Sequence, residues 1–319
     1  MVAMRIREFE PSDYPSVALI HDSLFANHPF FRKRVEYEDS CYGRTRCRMK
    51  RFVVEAGSGG VVGFGEYKHL FFSYHPLKFA INIEVSPEWQ RQGIGGMLYH
   101  QVMKELVDLG AETAWPLVLS TSSSAIEFLQ KRGFVLKRTM IESRLDLERF
   151  DPVPFSDAVD RLRAEGFAIS SFSSAMREDP SSLRKLKDLE DSGSADVPSV
   201  LVGSLMDFHD YEIIILNNPL MVWDGSFLAK KRDNFVGASS LLESGVGAML
   251  DQGFTVVNPA WRGRGIAQAV KVHAAMYAKS KGFRYVRTHN DSENAPMLAV
   301  NKKLGFVRDI DFLTFERAI

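Results

Sequence analysis

Two short stretches carry the residue types and spacing that chemistry needs. "VSPEWQRQGIGG" occupies 85–96 and "VNPAWRGRGIAQ" occupies 257–268. Each runs from a valine at the end of an apolar run, through a proline and a tryptophan, to a polar residue that opens a glycine-rich turn. That residue is Gln90 in the first copy and Arg262 in the second. A glycine turn between a strand and a helix is a ready anion site. The first N–H groups of the helix lack internal partners, and the helix dipole adds positive charge there. The form polar-x-x-Gly-x-Gly/Ala is neither the G-x-G-x-x-G of dinucleotide folds nor a P-loop, which ends in Gly-Lys-Ser/Thr. Both turns are therefore expected to bind phosphate, in preference to NAD or ATP.

The elements around the turns repeat as well. "IGGMLYHQVMKELVDLGA" and "IAQAVKVHAAMYAKSKGF" both show helical spacing of apolar residues. "WPLVLST" and "YVRTHN" read as strands, followed by short helices that end at Gly133 and Gly305. Gly93 precedes Gly133 by forty residues, and Gly265 precedes Gly305 by the same forty. A period this long indicates duplicated domains. The front halves agree more loosely. "MRIREFEPSDYPSVALIHDSLF" predicts a strand and a helix capped at Ser12 or Asp13, and "FAISSFSSAMREDPSSLRKLKDLEDS" predicts the same order. Hairpins follow, turning at "GSGG" and "KRDN". Each unit thus reads strand, helix, hairpin, long strand, helix, strand, helix, strand. The division is expected between 150 and 165, giving domains at 1–150 and 165–319.

The chain has 319 residues, suited to two domains. Forty basic residues balance forty acidic ones, which argues against nucleic acid as a partner. Cys41 and Cys47 are the only cysteines, too few for a metal site and in keeping with a reducing compartment. The N-terminus is charged within five residues and no apolar run approaches the roughly 20 needed to span a bilayer. The expectation is a cytoplasmic protein with no membrane partner and no metal.

The paired turns and their frame resemble the GNAT family of N-acetyltransferases, in the tandem, mycothiol-synthase-like arrangement. The resemblance covers nearly the whole chain and is strongest at 81–135 and 250–307. It implies an α/β (α+β) fold of two domains, each a mixed, mostly antiparallel, splayed sheet flanked by helices. It implies acetyl-CoA as acyl donor and transfer straight onto a primary amine of a small molecule or peptide. It places Val85 and Val257 on the strand that pairs with the pantetheine arm, behind the openers Gln90 and Arg262. Around the pyrophosphate it places Arg91, Gln92, Gly93, Ile94, Gly95 and Gly96 in one copy. In the other it places Gly263, Arg264, Gly265, Ile266, Ala267 and Gln268 there. A strand edge inside a split sheet can take an extended ligand as an extra strand. A backbone N–H there can hold the thioester oxygen as it gains charge.

The family's short helix often ends in a tyrosine that protonates the leaving thiolate. Here that position is Leu129 or Asn301, so neither copy keeps the phenol. Asn290 and Asn294 are candidates for the pantetheine amides or for orienting substrate, although asparagine before a helix also caps it without any ligand. The first unit has only serines there, which favours the second unit as the catalytic one. A carboxylate on the strand could take the amine's proton. In the first unit that is Glu84; in the second the same place is Val256. Asp251 and Thr255 share a face with Val257, but an unbroken strand puts Asp251 ~20 Å away. His289 and His209 are further possible bases. The sequence supports an N-acetyltransferase, with two alternatives: a CoA-binding protein that has lost catalysis, and an enzyme whose chemistry lies in the first unit at Glu84.

Overall fold

The computed structural model describes residues 3–25, 27–57, 59–194 and 206–319. Alternating apolar residues and glycine or charged turns produce twelve strands. These are β1 (Met4–Glu8), β2 (Met49–Ala56), β3 (Gly60–Lys68), β4 (Lys78–Val85), β5 (Thr113–Leu119), β6 (Val135–Asp146), β7 (Phe167–Ser171), β8 (Phe227–Lys231), β9 (Asn234–Glu243), β10 (Met249–Val257), β11 (Tyr285–Asp291) and β12 (Val307–Ala318). The described helices are α1 (Tyr14–Leu24), α2 (Arg32–Tyr42), α3 (Ile94–Asp108), α4 (Ser123–Gln130), α5 (Ser156–Ala164), α6 (Phe172–Glu178), α7 (Ser182–Ser194), α8 (Phe208–Ile215), α9 (Ile266–Ser280) and α10 (Ala295–Leu304). None of them is long and apolar enough to cross a membrane.

Contacts divide the chain into two units of mixed α/β architecture. The first holds the residues up to Arg138 and the last eight, Phe312–Ile319. The second holds 139–194 and Asp207–Asp311. The sequence-level division at 150–165 follows chain order, whereas these units follow contacts. In the first unit the strands run β1-β2-β3-β4-β5 and end with the C-terminal half of β12, paired antiparallel to β5. The second unit repeats this order as β7-β8-β9-β10-β11 and ends with β6, paired antiparallel to β11 from Met140 to Asp146. Each unit has one parallel contact, β4 with β5 and β10 with β11. The closing strand of each sheet is therefore the last strand of the other sequence repeat.

Both faces of each sheet are covered. In the first unit Leu98, Val102 and Leu106 of α3 pack on Phe52, Val54 and Ile81. On its other face Val17 of α1 meets Val53 and Phe64. In the second unit Val270 and Ala269 of α9 pack on Ala229 and Val236. On the opposite face Phe172 of α6 and Leu186 and Leu189 of α7 pack on Leu228, Phe235 and Val256. Cys41 and Cys47 are buried thiols not joined in a disulfide. The expected cap of α1 takes a different form. A single 3-10 turn, Pro11–Asp13, leads into the helix, and Asp13 accepts from the Glu10 N–H at 2.8 Å and from Arg7 at 2.7 Å. The stretch expected to hold the division, 150–165, contains α5, and α2 and α8 were not expected.

Candidate active site

In the first unit β4 and β5 pair only from Lys78–Thr113 to Ile81–Pro116. Beyond that point they separate, while β4 stays bonded to β3 as far as Val85. The β5-facing edge of 82–85 is thus left without a ladder partner. A cavity of about 440 Å³ lies in this opening. It is lined by Asn82, Glu84, Leu24 and Phe25, and equally by Tyr99 and Phe128 of α3 and α4. Those two groups belong to opposite faces of the sheet, so the cavity passes through the split.

The glycine turn forms one end of the cavity. Gly93 stands at φ 91° at the head of α3 and has no side chain to cap it. The amides of Ile94, Gly95 and Gly96 are therefore uncapped helix donors. Arg91 takes φ 63°, a conformation that strains a residue with a Cβ. Its counterpart Gly263, at φ 77°, takes it freely. Gln90 donates to the Val85 carbonyl at 3.1 Å, and Arg262 donates to the Val257 carbonyl at 3.2 Å. Both openers thus brace their turns from the strand. Trp89 and Trp261 pack into the apolar clusters beneath. Arg91, Lys131 and Arg132 also line the cavity, giving it a cationic end. Arg132 lies 3.5 Å over the Phe128 ring.

Glu84 sits in the middle of this cavity and is only 3% exposed. Its Oε1 accepts from Asn82 Nδ2 at 2.7 Å and lies 3.0 Å from His21 Nδ1. Its Oε2 is buried and has no hydrogen-bond partner. His21 Nε2 lies 3.0 Å from the His28 carbonyl, which can only accept, so Nε2 carries a proton. Burial pulls the His21 pKa down, but the hydrogen bond to Glu84 and its charge outweigh that, with smaller help from His28 and Asp22. The imidazole is held above its ordinary value.

The second unit repeats the frame and changes its contents. β10 and β11 pair from Met249–Tyr285 to Gln252–Thr288 and then part. Against β9, β10 carries an irregularity between Gln252 and Thr255, so it is not the unbroken strand on which the ~20 Å spacing rests. Gly265 heads α9 at φ 84°. Asp251 is bound to the buried Arg287 at 2.7 and 3.1 Å. Thr255 Oγ1 lies 2.7 Å from Ser239 Oγ. His289 Nε2 lies 2.9 Å from Glu142. Asn294 caps α10, accepting from the Met297 N–H at 3.3 Å. Asn301 donates to Asn290 at 2.6 Å, and its own Oδ1 is buried without a partner. Val256, where the first unit has Glu84, is sealed in the cluster with Phe172 and Leu186. Gly193 of α7 presses so close that a Cβ there would come to 2.2 Å from Val256 Cγ2.

The model of the acetyltransferase (GNAT) family matches the chain twice, at residues 9–134 and 202–306, well over half its length. The chain belongs to this family. GNAT enzymes are N-acetyltransferases, which move an acyl group from acyl-CoA to an amine. Among solved structures, a tandem GNAT protein from the clavulanic acid biosynthesis pathway superposes with a TM-score of 0.72 at 18% identity, covering 99% of this chain and 98% of that one. A GCN5-related N-acetyltransferase from Sphaerobacter thermophilus gives a TM-score of 0.72 at 17% identity, covering 99% and 95%. These likenesses show the fold. The [ribosomal protein bS18]-alanine N-acetyltransferase of Escherichia coli (strain K12) is 38% identical over 53 residues, 17% of this chain and 36% of that enzyme. That match spans about a third of the curated relative's length.

Seen as a GNAT domain, the first unit gathers Glu84, Val85, Gln90, Arg91, Gly93, Gly95 and Gly96 around one cavity. Residues absent from the sequence reading are there too: Asn82, Tyr99 and Arg132 line the cavity, and His21 stands behind Glu84. For His21 a signal existed. Tyr14, Val17 and His21 follow i, i+3, i+7, which puts the histidine on the packed face of α1. Asn82 also had one, since it alternates with Glu84 on the same strand face.

Proposed function

We propose that the chain is an acetyl-CoA-dependent N-acetyltransferase whose catalytic unit is the first, in place of the second unit that the sequence favoured. The observation that carries this is Glu84: a buried carboxylate with an unpartnered oxygen, in the same cavity as the glycine turn. The uncapped amides of Ile94, Gly95 and Gly96, with Arg91, suit a pyrophosphate. The open edge of 82–85 suits an extended arm laid along it. Acetyl-CoA supplies the acyl group through its thioester. Glu84 takes the proton of the incoming ammonium, and the free amine attacks. A backbone N–H of the open β4 edge steadies the oxygen that gains charge. Leu129 offers the departing thiolate no proton, and a thiol pKa near 8.5 makes that tolerable. In the second unit Val256 under α7 provides no base and no room for an acceptor at that place. The partial match to the bS18-alanine enzyme makes a peptide α-amine the first acceptor to try, followed by polyamines and amino-sugars.

The test is thiol release from acetyl-CoA with that panel, for wild type, Glu84→Gln, Gly93→Val and Gly265→Val. Both glycines are at positive φ, so valine deforms each turn locally. Turnover should fall with Glu84→Gln and Gly93→Val and survive Gly265→Val. Turnover that survives Gly93→Val and dies with Gly265→Val would return catalysis to the second unit. Acetyl-CoA binding by wild type without release to any amine would favour a CoA-binding protein.

A further inference from the structure

Lys271 is an anomaly. It lies on α9 and is 2% exposed, among the largest fully buried side chains of the protein. No hydrogen bond or ion pair joins it to any described residue; its contact is the Phe306 ring, 5.1 Å from Nζ. An ammonium buried without a counter-ion loses its hydration and receives nothing in return. Burial accordingly pushes its pKa down to about 7, with no charged group contributing. Lys271 is therefore a neutral amine much of the time, with a free lone pair.

Its place gives that amine a use. The offset that carries Gly93 to Gly265 carries Tyr99 to Lys271, Leu129 to Asn301 and Val118 to Asn290. In the first unit all three of those residues line the cavity beside the glycine turn. In the second unit all three are replaced by polar side chains. One of them, Asn301, keeps a buried Oδ1 that no hydrogen bond satisfies. Lys271 also follows Ala267 by four residues, which puts it on the face of α9 below the turn. Helix side chains tilt back toward the N-terminus, here toward the turn.

We propose that Lys271 is an acyl-acceptor site, acylated in place by acyl-CoA held at the second glycine turn. This rests on the reading that the turn at 263–268 binds acyl-CoA. The Nζ lone pair attacks the thioester carbonyl, a C–N bond forms and the C–S bond breaks. CoA leaves as the thiolate and takes the proton that Nζ sheds. The product is an uncharged amide, so acylation removes the cost of burying an ammonium.

The experiment incubates the full chain with acetyl-CoA from pH 6.5 to 9.5 and maps acetyl-lysine by mass spectrometry. Lys281 and Lys302, both exposed, serve as internal references. At pH 7 a lysine of ordinary pKa is neutral roughly once in a few thousand molecules. Lys271 should therefore be labelled at least ~100-fold faster, and its rate should level off above pH 7 while the references climb about tenfold per unit. Gly265→Val should slow the labelling, and Lys271→Met should abolish it. Labelling of Lys271 no faster than the references, in native and urea-unfolded chains alike, overturns the proposal. Calorimetry with acetyl-CoA on wild type, Gly93→Val and Gly265→Val separates the two failures. Two sites with no label at Lys271 overturn the acylation alone. One site, lost only in Gly93→Val, overturns binding at the second turn and the acylation with it.

Discussion

The substitution Lys271→Met keeps an unbranched side chain, one atom shorter, and removes its amine. In the unfolded chain this amine holds its proton up to about pH 10.5, and in the folded protein up to about 7. Folding at neutral pH must therefore strip a proton or bury a charge. At about 1.4 kcal/mol per pH unit, the separation costs the second unit about 4 kcal/mol at pH 7. Some of that returns through local relaxation and through the Phe306 ring, so methionine should gain about 2–4 kcal/mol. The sign with pH follows from a lowered base. The cost is complete below pH 7, shrinks as pH rises, and is gone above 10.5. Wild type should therefore gain stability between pH 7 and 10 relative to Lys271→Met, and the two should nearly converge there. Urea unfolding at several pH values measures the difference. Hydrogen exchange of the α9 amides assigns it to the second unit. Equal stability at pH 7, or a gap that does not narrow by pH 10, would refute the reasoning. Acetylated wild type should match the methionine variant.

Other outcomes follow from the same geometry. Glu84→Gln should lower kcat/KM about 10²–10⁴-fold with little change in acetyl-CoA affinity; thiol release and calorimetry separate the two. Glu66 is buried, which alone would raise its pKa, but Lys68 and Arg51 hold it down to about 2. Its contribution is fully present above the unfolded value near 4.5 and lost as pH falls toward 2. Glu66→Gln should thus flatten the acid limb of a stability profile and, by leaving Arg51 short of a partner, cost about 3–5 kcal/mol at pH 7. Arg91→Gly relieves the left-handed backbone, so it should stabilise by up to ~1 kcal/mol while weakening acetyl-CoA binding; melting and calorimetry should move in opposite directions.

The repeated frame was legible because glycine and periodicity speak locally. Gly93, Gly133, Gly265 and Gly305 mark helix ends, and all four take positive φ. Strands such as Tyr285–Asp291 stand between clear turn signals. Two of the missed helices were hidden for different reasons. In α2, "RKRVEYEDSCY" is too polar to show a face, and the proline-rich start of the expected boundary masks α5. Lys271 gave no signal in the sequence, since nothing in "IAQAVKVHAAMYAKS" says that the helix is covered around that position. The pairing of Glu84 with His21 joins residues 63 positions apart, which no local pattern reports. Packing was the part least legible: Asn290 and Asn294 suggested a polar site in the second unit, yet Asn290 accepts from Asn301 and Asn294 caps a helix.

The order of strands also governs how this chain is made. The sheet around Glu84 is closed on the β5 side by residues that follow the whole second unit along the chain. Until Phe312–Ala318 arrive, the edge of Thr113–Leu119 has no neighbour and can pair with any strand nearby. Synthesis of the first half therefore cannot complete the first unit's sheet, and a fragment cut near 150 would carry an adhesive edge.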